Sequence, residues 1–342
     1  MNKLLTISSM YQGYVDSFYK RFSDAVKLPY EEHYNLLLDD TTEFVGSYTK
    51  TFRKLGVDAE CVIANDIVLQ NKWRSENYSK GENDKEILTE QVKSFQPEIL
   101  WIDNLSYTDK EWLENIREVV KSIKLVVAYH CSPFSPKIIE RLKHVDFLIT
   151  CTPGLKQDME AFGIRTYLVY HGFDVDLIKR IDGNGNGSVN NIIFSGSLTA
   201  GADFHGDRIE LVESILRENI DMALYVNLES QTKIRAKQTI YNVNEFLKKV
   251  NLGGLKSYIP LLRYGTKPVK NYSQSLLSKN RQSVFGIEMY NLFRKAGIVL
   301  NMHIGISREY AGNMRLFEVT GIGSCLLTDN KKNLGDLFGI NK

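Results

Sequence analysis

Short apolar runs alternate with stretches whose apolar residues recur every three or four positions, and this rhythm continues along most of the chain. Leu4–Ser8 reads as a strand, followed by a polar turn around Gln12–Gly13 and a helix from Tyr14. The stretch from Tyr34 to Leu55 predicts one long helix ended by Gly56, and Asp58–Ala64 returns to strand. A polar segment, Asn71–Asp84, leads into a helix that runs through Phe95 and stops at Pro97. Then strands at Ile99–Ile102, Leu125–Tyr129, Phe147–Thr150 and Thr166–Tyr170 alternate with helices at Asp109–Val120, Pro136–Leu142 and Leu155–Phe162. Such alternation predicts α/β architecture with a parallel sheet covered on both faces, in which ligands gather at the carboxyl ends of the strands.

The alternation pauses once. Asp182–Asn190 is made of turn-prone residues with no hydrophobe before Val189, and reads as a linker. Afterwards Ile192–Ser195 is a strand, Gly196–Ser197 a tight turn, Arg208–Arg217 a helix and Met222–Val226 a strand. Phe285–Lys295 follows as helix and Ile298–Asn301 as strand. Two α/β domains, residues 1–180 and 191–342, with a hinge near residue 185, are therefore expected to face a cleft, the default place for a ligand.

The stretch Asn313–Asp329 carries the densest candidate chemistry. Asn313 is a suitable N-cap, Met314 and Phe317 share a buried face, Gly321 and Gly323 end the short helix, and Cys325–Leu327 resumes a strand. A helix start offers free N–H groups and the positive end of a dipole to a phosphate. Arg315 adds a cation there and Glu318 a carboxylate suited to sugar hydroxyls, which together describe a nucleotide site; ordinary helix capping accounts for the same residues. Arg208, in His205-Gly-Asp-Arg208 at the start of a helix, points toward strand ends where a diphosphate would lie. Gly196, between Ser195 and Ser197, either admits a phosphate or makes a plain turn.

His130 follows the strand Leu125–Tyr129, so it serves either as a general base facing the cleft or as a turn cap. His171, Asp103 and Asp174 share that placement after their strands. No H-x-x-x-H or paired-acid spacing suggests a metal, and neither G-x-x-x-x-G-K-S/T nor G-x-G-x-x-G is present, which excludes a P-loop and a dinucleotide fingerprint. Residues 231–281 hold eleven Lys or Arg against the single acid Glu245, with Tyr241, Tyr258, Tyr264 and Tyr272 interleaved. That basic segment suits an anionic lipid surface, an anionic donor or plain solvation; without an accompanying motif, nucleic acid ranks last.

Composition narrows the picture. The chain has 342 residues, 43% hydrophobic and 25% charged, with net charge +2, and so has no global field that would draw it to a polyanion. The N-terminal apolar stretch is too short for a signal peptide, and no run approaches the ~18 residues of a membrane span. Cys61, Cys131, Cys151 and Cys325 are scattered without a C-x-x-C pair, and Cys131, Cys151 and Cys325 lie in or beside predicted strands as small hydrophobes, which points to a reducing, cytoplasmic compartment and away from zinc.

Four blocks occur in a familiar order: NNIIFSGSL with His205 and Arg208, FGIEMYNLF, IVLNMHI, and NMRLFEVTGIGSCLLTD. Together with ISSMYQGYVDSFY, PEILWID and VYHGFD in the first half, they resemble the group 1 glycosyltransferases of GT-B fold, in the spore-maturation-like and surface-polysaccharide branch. The resemblance implies two Rossmann-like domains, an acceptor held by the first and a nucleotide-sugar donor by the second. It implies that Glu318 binds ribose or sugar hydroxyls, that Asn313, Arg315 and the Gly321–Gly323 turn surround diphosphate and sugar, and that Ser197, Arg208, Asn301 and His303 line the same pocket. It further implies hexosyl transfer without metal or other cofactor, to an unidentified glycan, lipid-linked or protein acceptor; peripheral membrane contact is an expectation from the basic segment 231–281 alone. His130 would be the base of an inverting enzyme or a sugar contact in a retaining one.

Two departures keep other readings open. Relatives carry a carboxylate eight positions before the one matching Glu318, where this chain has Tyr310, with Glu309 one residue off. Relatives also continue past the expected helix Leu334–Phe338 into a cross-domain helix, which implies a shortened form. The alternatives are a non-catalytic nucleotide-sugar-binding subunit and a GT-B-fold sugar-nucleotide epimerase or hydrolase.

Overall fold

The computed structural model describes residues 3–181, 192–200, 205–252, 254, 259, 262 and 268–339. The linker Asp182–Asn190, and Tyr258 and Tyr264 of the basic segment, lie outside these residues. Strands β1 (Lys3–Ser8), β2 (Asp58–Ile63), β3 (Ile99–Ile102), β4 (Leu125–Tyr129), β5 (Phe147–Thr150) and β6 (Thr166–Leu168) form a parallel sheet in the order β2-β1-β3-β4-β5-β6. A second parallel sheet joins β7 (Ile192–Leu198), β8 (Met222–Leu228), β9 (Asn280–Arg281), β10 (Ile298–Asn301) and β11 (Leu326–Thr328) in the order β11-β10-β7-β8-β9. The α/β class with helix-covered parallel sheets is as the periodicity predicts.

Helices α1 (Gln12–Arg21), α2 (Tyr30–Asp40), α3 (Phe44–Lys54), α4 (Ile67–Glu76), α5 (Asp84–Phe95), α6 (Lys110–Val119), α7 (Pro136–Leu142) and α8 (Pro153–Ala161) belong with the first sheet. Their apolar faces build two cores, one around Ile7, Leu100, Ile102, Val92 and Ile116, the other around Tyr14, Phe18, Tyr34, Leu37 and Ile63. Side-chain caps fix several starts: Asp66, Asn83, Asp109 and Thr152 each accept a first-turn N–H. The second sheet carries α9 (Gly206–Arg217), α10 (Gln231–Lys249), α11 (Gln274–Lys279), α12 (Gly286–Lys295), α13 (Arg315–Gly321) and α14 (Leu334–Leu337). Among the described residues no helix is long and apolar enough to cross a membrane.

Several expectations need correction. The single helix Tyr34–Leu55 is two, because Thr41 is extended (φ −63°, ψ 146°) and its Oγ1 accepts the Glu43 N–H at 3.1 Å. Asp40 is held aside by Arg21 and by the Tyr14 hydroxyl, both at 2.6 Å. The first part of the polar segment Asn71–Asp84 lies in α4, whose Leu69 and Trp73 are buried. Gly196–Ser197 is no turn: both residues continue β7, paired with Val226 and Asn227 of β8. The basic segment opens with the long helix α10. Cys131 and Cys151 are joined in a disulfide, while Cys61 and Cys325 are free. The link depends on the alignment of β4 with β5, which spacing along the chain does not reveal.

Each sheet has a point where chain order reverses, between β1 and β3 in the first and between β7 and β10 in the second. At such points neighbouring connections leave in opposite directions and open a crevice at the strand ends. The segment after β10 packs against the first sheet's side of the molecule: a Cβ at Gly312 would come 2.2 Å from Thr152 Cγ2, so only glycine fits, and Arg308 pairs with Asp158 at 3.0 Å.

Candidate functional site

Arg208, early in α9, spans the reversal point of the second sheet. Its Nε and Nη2 donate to the Met302 carbonyl at 3.1 and 2.5 Å, and Nη1 to the Ser197 carbonyl at 3.4 Å. These acceptors are neutral backbone atoms just past β10 and within β7, and among the described residues no carboxylate forms an ion pair with this arginine. Burial, then the neighbouring Arg315 cation, pushes its pKa down to about 10, with Asp329 pulling the other way. It remains a cation at neutral pH, with its charge left for an anion to satisfy.

Arg315 is differently placed. Its Nη1 donates to Glu318 Oε2 at 2.8 Å and Nη2 to the Ser195 carbonyl at 3.3 Å, while the guanidinium lies 4.4 Å from the centre of the Phe293 ring. The Arg315–Glu318 pair is therefore self-neutralising, and the net positive charge of the crevice comes from Arg208. Asn313 does not cap α13. Met314 occupies the N-cap position, and the Asn313 amide donates instead to Asn301 Oδ1 at 2.7 Å, because the Asn301 side chain at the end of β10 meets it there. Asn301 in turn donates to Thr328 Oγ1 at 2.8 Å.

His303 is buried, with Nδ1 2.7 Å from Asp329 Oδ1 and its backbone N–H on the same oxygen at 3.0 Å. Burial alone would raise the Asp329 carboxyl, but these hydrogen bonds from His303 hold it well below the usual carboxylate range. His303 Nε2 is buried with no partner, and an orphaned polar atom of this kind calls for a ligand or a water. Ser197, Arg208, Asn301, His303, Asn313, Arg315 and Glu318 thus gather around the ends of β7 and β10. Gly321 and Gly323 do not join them. They end α13, roughly 9 Å along its axis by the rise per residue, where Gly321 packs on Phe173 and Gly323 takes φ +74°.

The first sheet contributes carboxylates. At its reversal point the Ser8 hydroxyl donates to Asp103, whose carboxyl is pushed up by burial. Glu43, which begins α3, accepts the Tyr11 N–H at 3.2 Å. Its pKa is pushed up to about 8 by burial, against the Tyr11 hydrogen bond, with repulsion from Asp103 and Glu318 adding to the rise. Glu43 therefore feels carboxylates from both halves of the chain. Glu43 went unread in the sequence because the uninterrupted apolar spacing hid the helix break that positions it; the Asp-Asp-Thr-Thr run before it is the available signal.

Glu43 gives a pH-dependent prediction. The folded state keeps this proton from pH 4.5 up to about 8 while the unfolded state has lost it, so stability falls as pH rises through that window. Glu43→Gln is expected to raise stability by on the order of 1 kcal/mol at pH 7, allowing for solvent screening of a half-buried group, and to change nothing at pH 4. Urea unfolding at both pH values checks this; equal effects at both would remove Glu43 as the source.

His130 stands just past β4, half-buried, with Nε2 3.4 Å from Ser132 Oγ and its carbonyl accepting from Thr150 Oγ1 at 2.8 Å. Burial lowers its pKa, opposed by the backbone at Pro133 and Ser132. These contacts are local and do not join it to the Arg208 cluster. His171 lies closer to the seam, stacked on Phe44 with ring centres 5.0 Å apart and edge-on to Phe317 of α13 at 6.3 Å. Asp174 accepts from Ser47 at 2.7 Å and caps the turn at Asp176. Glu309 does not replace the carboxylate missing at Tyr310: it is paired with Lys332 at 2.6 Å on the surface, while Tyr310 packs beside Gly154.

Residues 237–342 match a family described as Glycosyl transferase-like, a span that holds Asn301, His303, Asn313, Arg315 and Glu318 but not Arg208 or the first sheet. No curated protein matches the chain. Among solved structures the chain is similar to an alpha-glucosyltransferase in complex with UDP and a 13-mer DNA containing a HMU base, at 11% identity over 96% of this chain and 80% of that one, with a TM-score of 0.47. An alpha-glucosyltransferase in complex with UDP-glucose and DNA containing an abasic site gives 12% identity, the same coverage of 96% and 80%, and a TM-score of 0.45. TarM gives 11% identity over 75% of this chain and 50% of its own, with a TM-score of 0.33.

Proposed function

We propose that this protein is a glycosyltransferase that moves a hexose-type sugar from a nucleotide diphosphate donor. The observation that carries the reading is Arg208, a cation without a carboxylate partner among the described residues, set where β7 and β10 diverge. Its neighbour Arg315 carries the carboxylate of Glu318, and the Met302 carbonyl it holds adjoins His303, a histidine whose Nε2 is unsatisfied. A diphosphate supplies the missing charge, and its sugar supplies hydroxyls for Glu318 and His303. The match of residues 237–342 to Glycosyl transferase-like sequences supports the same reading. On this account residues 191–342 form the donor domain and residues 1–180 the acceptor domain, in the GT-B manner. Arg208 offsets charge that develops on the leaving diphosphate, so no divalent cation is required there.

His130 is the proposed base if transfer inverts the anomeric centre, and a sugar contact if it retains it. The acceptor is a glycan, lipid-linked or protein hydroxyl made in the cytoplasm, as in polysaccharide biosynthesis. Contact with an anionic membrane is supported by α10, where exposed Val243, Phe246 and Val250 share a stripe with Arg235 and Lys249. The surface position of Glu309 favours a second reading, a subunit that binds nucleotide sugar without turning it over. Radiolabelled nucleotide sugars incubated with cell-envelope extract separate the two. Labelled glycan, with the protein co-sedimenting on anionic but not neutral vesicles, is the expected result. Binding without turnover selects the second reading, and sedimentation indifferent to lipid charge removes the membrane contact.

A further inference from the structure

The carboxyl ends of β4, β5 and β6 bring three metal-compatible side chains to one place. Tyr129 aligns with Ile149, so Cys131 and Cys151, each two residues further on, emerge side by side with Cα atoms 5.7 Å apart. His171 follows β6, and the ligand atoms of Cys131, Cys151 and His171 all lie within 4.8 Å of one another. Cys151 and His171 are buried and Cys131 is partly buried. We propose that, once the disulfide is reduced, Cys131, Cys151 and His171 bind a zinc-class divalent cation at the seam between the two sheets.

The donor set has the right chemistry. Thiolate and imidazole together select zinc over magnesium or calcium, and three protein ligands leave the fourth tetrahedral position to water. A tetrahedral zinc spaces its sulfurs roughly 3.8 Å apart, which side-chain rotation supplies on the existing backbone. Outer contacts are already in place. The His171 ring has a polar neighbour in the Tyr129 hydroxyl, 3.3 Å from Nδ1 and 3.4 Å from Nε2, and Thr150 Oγ1 lies 3.8 Å from Cys131 Sγ. A hydrogen-bond partner on the nitrogen that does not bind the metal is what orients a metal-binding histidine, and the Tyr129 hydroxyl is within reach of that role. Gly312 rests on Cys151 and immediately precedes Asn313, so the cation would lie under the segment that leads into α13.

The redox step balances with a phosphine and one water. The phosphine leaves as its oxide, the sulfur–sulfur bond opens to two thiols, and metal binding then releases both thiol protons. The test is cobalt(II) titration of the full-length protein after phosphine reduction. The expected result is stoichiometric binding, with a near-ultraviolet thiolate charge-transfer band and the intense visible bands of a tetrahedral site, all displaced by zinc. Cys131→Ser or Cys151→Ser roughly halves the charge-transfer intensity, and the double variant removes it. His171→Gln weakens binding by more than the ~100-fold that an outer-shell change can cost and alters the visible bands. Cys61→Ser and Cys325→Ser leave the spectrum unchanged. In the wild-type protein, zinc protects Cys131 and Cys151 but not Cys325 from alkylation, a readout that does not depend on any variant folding. A reduced protein with no charge-transfer band, a band that survives the Cys131→Ser/Cys151→Ser double variant, or unprotected Cys131 and Cys151 would overturn the proposal.

Discussion

Replacing Arg208 with alanine is expected to weaken nucleoside diphosphate binding by about 2–5 kcal/mol, the range seen when one member of a buried charge pair is truncated. The same change should leave the melting temperature nearly unaltered. Most single-residue effects on binding sites reduce both quantities; here they separate, because the arginine sits desolvated beside another cation and without a carboxylate pair among the described residues. Removing it relieves that electrostatic cost while giving up hydrogen bonds to the Met302 and Ser197 carbonyls. Arg208→Lys should fall between, since an ammonium keeps the charge but loses the fork that holds Met302. Calorimetry and thermal melts on the same samples check this, and unchanged affinity in Arg208→Ala would take the diphosphate away from the β7–β10 crevice.

Glu318→Ala is expected to cost about 3–5 kcal/mol of folding stability, because it strands a buried arginine. The Arg315 and Glu318 side chains are only 16% and 11% exposed, and their 2.8 Å contact is the one ion pair that holds Arg315 among the described residues. Glu318→Gln keeps a hydrogen-bond acceptor for Arg315 and should retain most of that stability. It is thus the variant in which binding is interpretable. Its affinity for nucleotide sugar should drop more than its affinity for nucleoside diphosphate if the carboxylate meets the sugar, and equally if it meets the ribose. Urea unfolding would show the first effect; a loss below about 1 kcal/mol in Glu318→Ala would mean that the pair is not structural.

Most strands and helices were legible in the sequence because short apolar runs buried on both faces have few alternative readings. The reversal points at β1/β3 and β7/β10 were not, since strand order depends on packing that no local pattern encodes. The break at Thr41 was hidden for a related reason. The apolar spacing from Tyr34 to Phe52 continues across it, and only the tertiary demands of Arg21 and Tyr14 on Asp40 show why the helix stops there. Within the candidate site, Arg208 and Glu318 were readable as a cation and a carboxylate near helix starts. Their partners were not: Arg208 is held by backbone carbonyls, and Asn313 exchanged a capping role for a side-chain partner twelve residues away, Asn301. The Cys131–Cys151 link was invisible for the same reason as the sheet order, because it follows from the alignment of β4 with β5.

The measurement that bears most directly on the donor site is isothermal calorimetry of the wild-type protein against a panel of nucleoside diphosphates, with and without a chelator. One base should bind clearly better than the others, with the chelator making no difference and Arg208→Ala abolishing the preference along with the affinity. No binding by any nucleotide to the wild-type protein, or binding that survives Arg208→Ala undiminished, would contradict a donor site at the ends of β7 and β10.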